Sequence, residues 1–197
     1  MQITFEGVHG NDTVYMDCLR SICGDTEGKS MADLCCNLAP HTPLLGYTQK
    51  VYVDVLPRIL DHKEEQQFFV QMDVHEFIRD EKKYSSIICS DGIEHFSKID
   101  GIMFLNRAET KCDKIILFTP LGAHIVEGGD NPEAHHSAWY PEETPGYASI
   151  VFSHYHPTLG VGAYFFWKCE NIQQDFERVK NELKQKEWAK KLQVSVS

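Results

Sequence analysis

Five short apolar runs, each closed by an acid or by turn residues, constrain the fold of this 197-residue chain more than any other feature. They are SMADLCC (30–36), KVYVDVL (50–56), QQFFVQMDV (66–74), YSSIICSDG (84–92) and CDKIILFTPLG (112–122). Runs of this length, rich in β-branched and aromatic residues, suit strands buried on both faces of a parallel sheet. Between them lie PRILDHKEEQ (57–66), HEFIRDEKK (75–83) and EHFSKIDGIMFLNRAET (94–110), which have helical character. Such alternation predicts βαβ units and an open α/β sheet.

The flanks complete the pattern. NDTVYMDCLRSIC (11–23) reads as a helix capped by Asn11 or Asp12 and stopped by Gly24. Residues 147–155 and 161–169 read as two strands whose connection is too short for a parallel crossover, so they are antiparallel neighbours. Residues 171–193 carry an apolar stripe of Ile172, Phe176, Val179, Leu183 and Trp188 on a charged terminal helix. The expectation is one domain over 1–197, with a helical segment (1–29), a sheet core (30–170) and a C-terminal helix (171–197).

Charge and cysteine content narrow the function. The net charge is −10, and from Lys168 onward seven Lys/Arg face five Asp/Glu, so residues 1–167 hold −12. An acidic body repels phosphate backbones, which disfavours duplex nucleic acid and favours a small-molecule substrate. No apolar run reaches the roughly 20 residues of a membrane helix, and MQITFEGVHGNDT lacks the basic start and apolar core of a secretory signal. No membrane association and a cytoplasmic location are expected. The seven scattered cysteines include no CxxC pair and read as reduced thiols, with no structural zinc site. His135-His136 and His154-x-His156 do not by themselves make a metal site, so none is expected.

In a doubly wound sheet, ligands bind beyond the carboxyl ends of the strands at the topological switch point. Asp54 follows Asp33 by 21 residues, near the spacing at which an acid after the second strand meets ribose hydroxyls. A dehydrogenase of this pattern carries GxGxxG after its first strand, whereas no glycine occurs here between Met31 and Leu45. Any one such acid also has a plain use as the cap of the next helix.

The ordered set DLCCNLA, VYVD, QMDV, CSDGIEHF and KIILFTPLG resembles the successive motifs of class I S-adenosylmethionine-dependent methyltransferases, of the methyltransferase-11-like kind. YSSIICSDGIEHF is its most specific piece, and NPEAHHSAWYPEETPGY is similar to the segment after the fifth strand. The likeness spans roughly residues 10–170 and implies a Rossmann-like, three-layer α/β/α fold. Its sheet would have seven mostly parallel strands and a C-terminal antiparallel hairpin.

The resemblance implies S-adenosylmethionine as cofactor. The turn Asp33, Cys35, Asn37, Ala39 would wrap its methionine portion, Asp54 its ribose, Asp73 and Val74 its adenine, and Ser90, Asp91 and Gly92 its sulfonium region. Methyl transfer needs alignment of the acceptor, and a base only if the acceptor loses a proton. His95 and His124 are the candidate bases, and His135 would orient the acceptor. Where the family pattern reads Asp-x-Gly-x-Gly-x-Gly, this chain has Asp33-Leu34-Cys35-Cys36-Asn37-Leu38-Ala39. Asn37 tolerates a left-handed backbone, while Cys35 is expected to intrude on the cofactor's path. A second reading follows: a non-catalytic binding or scaffold module that keeps the fold and has lost the cofactor.

Overall fold

The computed structural model describes residues 1–7, 10–122, 131–155 and 161–197. In chain order the elements are β1 (Gln2–Glu6), α1 (Asp12–Cys23), β2 (Ser30–Leu34), β3 (Gln49–Asp54), β4 (Phe69–Gln71), α2 (Val74–Phe77), β5 (Tyr84–Ser90), α3 (Lys98–Ala108), β6 (Cys112–Pro120), β7 (Ala148–Phe152), β8 (Ala163–Cys169), α4 (Ile172–Lys184) and β9 (Gln193–Val196). One sheet runs in the order β4-β3-β2-β5-β6-β8-β7-β1-β9. The β2–β3, β3–β4, β2–β5 and β5–β6 pairs are parallel, and β8 is antiparallel to both β6 and β7. The chain winds outward from β2 to β4, then returns to β5 on the other side. The switch point therefore lies between β2 and β5.

The fold class is the expected three-layer, mostly parallel α/β sheet, with nine strands among the described residues where seven were expected. The additional two come from the flanks. β1 pairs in parallel with β7 and antiparallel with β9, so the 1–29 and 171–197 segments both extend the sheet beyond the 30–170 core. QITFE alternates in burial, with Ile3 and Phe5 inside, but five residues beside a helix gave too short a signal to read.

Burial on both faces explains the uninterrupted apolar runs. Along β6, Ile116 and Phe118 point toward α1 and α4, where Leu19, Ile22, Phe176 and Val179 complete one core. Ile115 and Leu117 point the other way, toward Phe104 and Leu105 of α3 and Val74 of α2. Lys114 ties the first layer together, donating to Ile22 O (2.7 Å) and Asp175 Oδ2 (2.8 Å). Burial alone would raise the Asp175 carboxyl, but Lys114 and Arg178 hold it below the ordinary range.

Helix limits differ from expectation where side chains satisfy the backbone instead. α1 is capped by Asn11, whose Oδ1 accepts from Val14 N, and is closed by Gly24 at φ 67°. Residues 57–62 do not form a helix; only a 3-10 turn follows, at Lys63–Phe68. Gln66 accepts from Leu60 N (2.8 Å) and donates to Arg58 O (3.1 Å), holding that segment as a loop. α2 is a single turn because beyond Ile78 the charged residues 79–83 have nothing to bury. α4 ends at Lys184, before Trp188, whose indole instead donates to Asp17 Oδ2 (2.9 Å) and packs edge-on against Phe5.

Candidate functional site

The carboxyl ends of β2 to β5 share one edge of the sheet, so their terminal residues converge. Directly after β2, the backbone turns left-handed at three alternate residues: Cys35 (φ 56°), Asn37 (φ 47°) and Ala39 (φ 48°). These are the three positions at which the resembled family has glycine. A fourth non-glycine residue of this kind, Asp91 (φ 48°), follows β5. For side chains other than Asn and Asp this conformation costs about 1–2 kcal/mol, and such strain persists where the surroundings dictate the backbone.

The surroundings here are β3 and its last residue. Val53 O accepts from Cys36 N (3.1 Å), and Cys36 O accepts from Ala39 N (2.8 Å). Asp54, 6% exposed, accepts from Asn37 N through Oδ2 (3.0 Å) and from Leu56 N through Oδ1 (2.9 Å). One carboxylate thus fastens the loop after β2 to the start of the loop after β3. Relief of strain at Cys35 exceeds glycine's own entropic cost of about 0.5–1 kcal/mol. Cys35→Gly is therefore expected to raise stability by about 0.5–1 kcal/mol in urea unfolding. Destabilisation of more than that size would show that the cysteine side chain is worth more than the strain it causes.

Two clefts open on either side of this loop. The first, of about 580 Å³, is bordered by Asp54, Arg58, Asp73, Val74 and His95. The second, of about 740 Å³, is bordered by Tyr15, Asp33, His41, Ser90, Phe118 and Tyr155. Cys35, Asn37 and Asp91 line both and form the ridge between them. Ala39 lines the second cleft; Gly92 lies behind the ridge, where an added Cβ would stand 2.7 Å from Cys35 Cβ.

The polar groups are unequally committed. Asp73 Oδ1 accepts from His75 N and Glu76 N, so Asp73 caps α2 as well as lining the cleft, and Oδ2 remains available. Arg58 reaches across the first cleft from Asp54 (3.6 Å) to Glu133 (2.8 Å). Asp33 is buried with Thr42 donating to it, and burial, against that hydrogen bond, pushes its carboxyl up to about 7. Tyr15 shares a 2.5 Å hydrogen bond with Ser90, linking α1 to the end of β5. Cys35 lines both clefts, and its side chain also leans on Gly92 and the second core.

The Glu94-His95 pair closes a 3-10 turn, Ile93–His95, after β5. Glu94 is 2% exposed; Thr119 donates to its Oε2 (3.0 Å), whereas Oε1 is buried with no hydrogen-bond partner among the described residues. Burial pushes this carboxyl up to about 7, against the hydrogen bonds it accepts. Its backbone carbonyl accepts from His136 N (2.8 Å) and Ser137 N (3.1 Å), which draws the 131–139 segment over the site. His135 then stands edge-on to His95, ring centroids 5.0 Å apart. The His95 nitrogens face the carbonyls of Ala134 (3.2 Å) and Asp91 (3.1 Å). Glu94, His95 and His135 each offer a ligand atom within 4.8 Å of the others.

The histidines read separately as base and acceptor guide thus share one cluster with an unforeseen carboxylate. His124 lies outside the described residues. Tyr15, Arg58, Phe118, Tyr155 and Glu133 are site residues that the sequence did not disclose. Arg58 alone left a trace, four residues after Asp54. Trp139 is structural: it packs on Gly101, where an added Cβ would meet its ring at 2.5 Å, and Lys98 Nζ lies 3.7 Å from its ring centroid.

No family model and no curated protein matches the chain. Solved structures do. N-methyltransferase NodS from Bradyrhizobium japonicum, in complex with S-adenosyl-L-homocysteine, superposes with a TM-score of 0.58 at 8% identity, over 81% of this chain and 87% of that one. Magnesium protoporphyrin IX methyltransferase (ChlM) from Synechocystis, with bound SAH, gives 0.56 at 12% identity over 78% and 80%. The small RNA methyltransferase HEN1 gives 0.54 at 12% identity, over 81% of this chain and 25% of that one.

Proposed function

We propose that this chain, which has the fold of class I S-adenosylmethionine-dependent methyltransferases, binds S-adenosylmethionine and methylates a small-molecule acceptor. The observation that carries the reading is the loop after β2. It holds a left-handed backbone at Cys35, Asn37 and Ala39 without a single glycine, fixed by the carboxylate of Asp54. Strain kept beside a sheet switch point, between two clefts, suits a retained ligand site.

The bound cofactor would supply an electrophilic methyl group; the protein's part is to bind, orient and handle protons. Asp54 Oδ2, with one lone pair beyond its bond to Asn37 N, would accept from ribose hydroxyls, and Asp73 Oδ2 from the adenine amino group. The second cleft, with Asp33 at its base, would take the methionine end and offers its ammonium a carboxylate. The ridge of Cys35, Asn37 and Asp91 would lie against the sulfonium. His95, tethered by two carbonyls beside that ridge, would take up a proton from the acceptor, and His135 would steady the ring or the acceptor. The acidic body favours an acceptor without phosphates. No helix among the described residues is long and apolar enough to cross a membrane.

Calorimetric titration with S-adenosylmethionine and S-adenosylhomocysteine tests the reading, and micromolar affinity for both is expected. No heat at millimolar ligand would sink it and leave the non-catalytic binding module, which the Arg58 strap over Asp54 favours. His95→Ala is expected to lower turnover about 100-fold in an SAH-release assay, as for loss of a general base, with cofactor affinity little changed. Equal losses in both would count against a proton-transfer role. Turnover abolished by a chelator and restored by a divalent cation would make His95 a ligand instead, with Glu94 and His135.

A further inference from the structure

We propose that Cys35 and Cys89 are a thiol–disulfide pair, closed by a low-molecular-weight disulfide such as glutathione disulfide. Both sulfurs crowd one point in the fold: the place an added Gly92 Cβ would occupy lies 2.7 Å from Cys89 Sγ and 3.1 Å from Cys35 Sγ. The β2–β5 register, Ala32↔Ile87 and Asp33↔Ile88, continues to put Leu34 opposite Cys89 with Cys35 next to it. Adjacent strands lie about 4.8 Å apart, which suits the Cα separations of about 4.4–6.8 Å that disulfides span. The Cys89 thiol is raised first by its contact with the Cys35 thiol and then by burial.

The two thiols differ in access, and that fixes the order of events. Cys35 is half-buried and lines both clefts, whereas Cys89 is fully buried. Cys36 does not compete. It packs into the core on the other face of the sheet, its thiol toward Asn37 O (3.6 Å), while Cys35 belongs with Cys89. The Cys35 sulfur, losing its proton, attacks glutathione disulfide; its S–S bond breaks, a Cys35–glutathione bond forms and one glutathione leaves. Cys89 then attacks the Cys35 sulfur, forms the protein disulfide and expels the second glutathione. Two thiol protons and two electrons pass from the cysteines to the glutathione pair, so the exchange balances.

Closing the bond brings the sulfurs to about 2.05 Å. Cys89 stands in β5, paired on both sides, and cannot follow. The displacement falls on the loop that carries Cys35 and Asn37, and through it on Asp54. We expect oxidised protein to bind S-adenosylhomocysteine about tenfold more weakly, the scale of a sub-ångström misplacement. This affinity effect rests on the cofactor reading above; the bridge does not.

The full chain is incubated with glutathione disulfide, alkylated, digested and mapped by mass spectrometry. A Cys35–Cys89 linkage, with an intact mass lower by two hydrogens and reversed by dithiothreitol, is the expected result. A stable glutathione adduct on Cys35, or a bridge between Cys35 and Cys36, overturns the proposal. Cys89→Ala should trap glutathione on Cys35, and Cys35→Ser should leave Cys89 unmodified. Modification of Cys89 in the latter overturns the order of attack. Titration of the reduced and oxidised forms separates the two readings. Failure of both to bind S-adenosylhomocysteine refutes the cofactor reading and leaves the mapped bridge standing, whereas equal binding by both refutes the coupling of bridge to loop.

Discussion

Asp54→Ala is expected to lower the unfolding free energy by about 3 kcal/mol and to weaken S-adenosylhomocysteine binding by at least about 100-fold. The carboxylate is buried and accepts from Asn37 N and Leu56 N. Alanine leaves both donors without their acceptor, at about 1–3 kcal/mol each. The loss in affinity follows from the same geometry, because this bond ties Asn37 of the left-handed turn to the last residue of β3. Asp54→Asn keeps one accepting oxygen and should lose roughly half the stability. Urea unfolding and calorimetry on the same preparations check both numbers. Full affinity in a destabilised Asp54→Ala protein would mean that the carboxylate holds the fold and not the ligand.

Stability is expected to fall as the pH rises from about 4.5 to about 7, by on the order of 3 kcal/mol from Glu94 alone. In the folded chain burial keeps this carboxyl protonated to about 7, while the unfolded chain releases the proton near 4.5. Between those values the folded state binds more protons, so raising the pH favours unfolding, and above about 7 the effect is complete. Asp33, also pushed up to about 7 from 3.8, adds in the same direction. Asp175, held low by Lys114 and Arg178, acts oppositely, and only below its ordinary value of 3.8. Glu94→Gln keeps an acceptor for Thr119 and carries no charge, so at pH 8 it should be more stable than the natural protein by about 2 kcal/mol. Chemical denaturation at pH 5 and pH 8 decides the matter. An equal fall with pH in Glu94→Gln would remove Glu94 as its source.

The sheet was legible because burial on both faces writes itself into sequence: the runs ending at Asp33, Asp54, Asp73, Asp91 and Thr119 each belong to a strand of the central sheet. The weaker elements were not. β1 has only Ile3 and Phe5 to announce it, and residues 57–66 have helical composition overruled by Gln66 and Asp54 side chains bonding the backbone. In the site, residues at strand ends could be found by spacing, since the topology alone brings them together. Tyr15, Phe118 and Tyr155 could not, because an aromatic residue facing a cleft looks the same in sequence as one facing a core. The direction of the Cys35 side chain was hidden for a related reason. Its backbone conformation was legible from the position, but the direction of its side chain depends on Gly92, far along the chain.

The placement of β1 between β7 and β9 bears on how the molecule is made. β1 leaves the ribosome before every strand it will pair with, and its inner-facing Ile3 and Phe5 wait while the central sheet assembles. Gln2 and Ser197 finally exchange backbone hydrogen bonds at 2.8 and 3.1 Å. Pairings this distant in sequence form late and slowly. The first cleft, at the carboxyl ends of β2 to β5, uses none of these pairings. That cleft can therefore take shape on the nascent chain while one sheet edge is still open, and that edge is where misassembly between chains would begin.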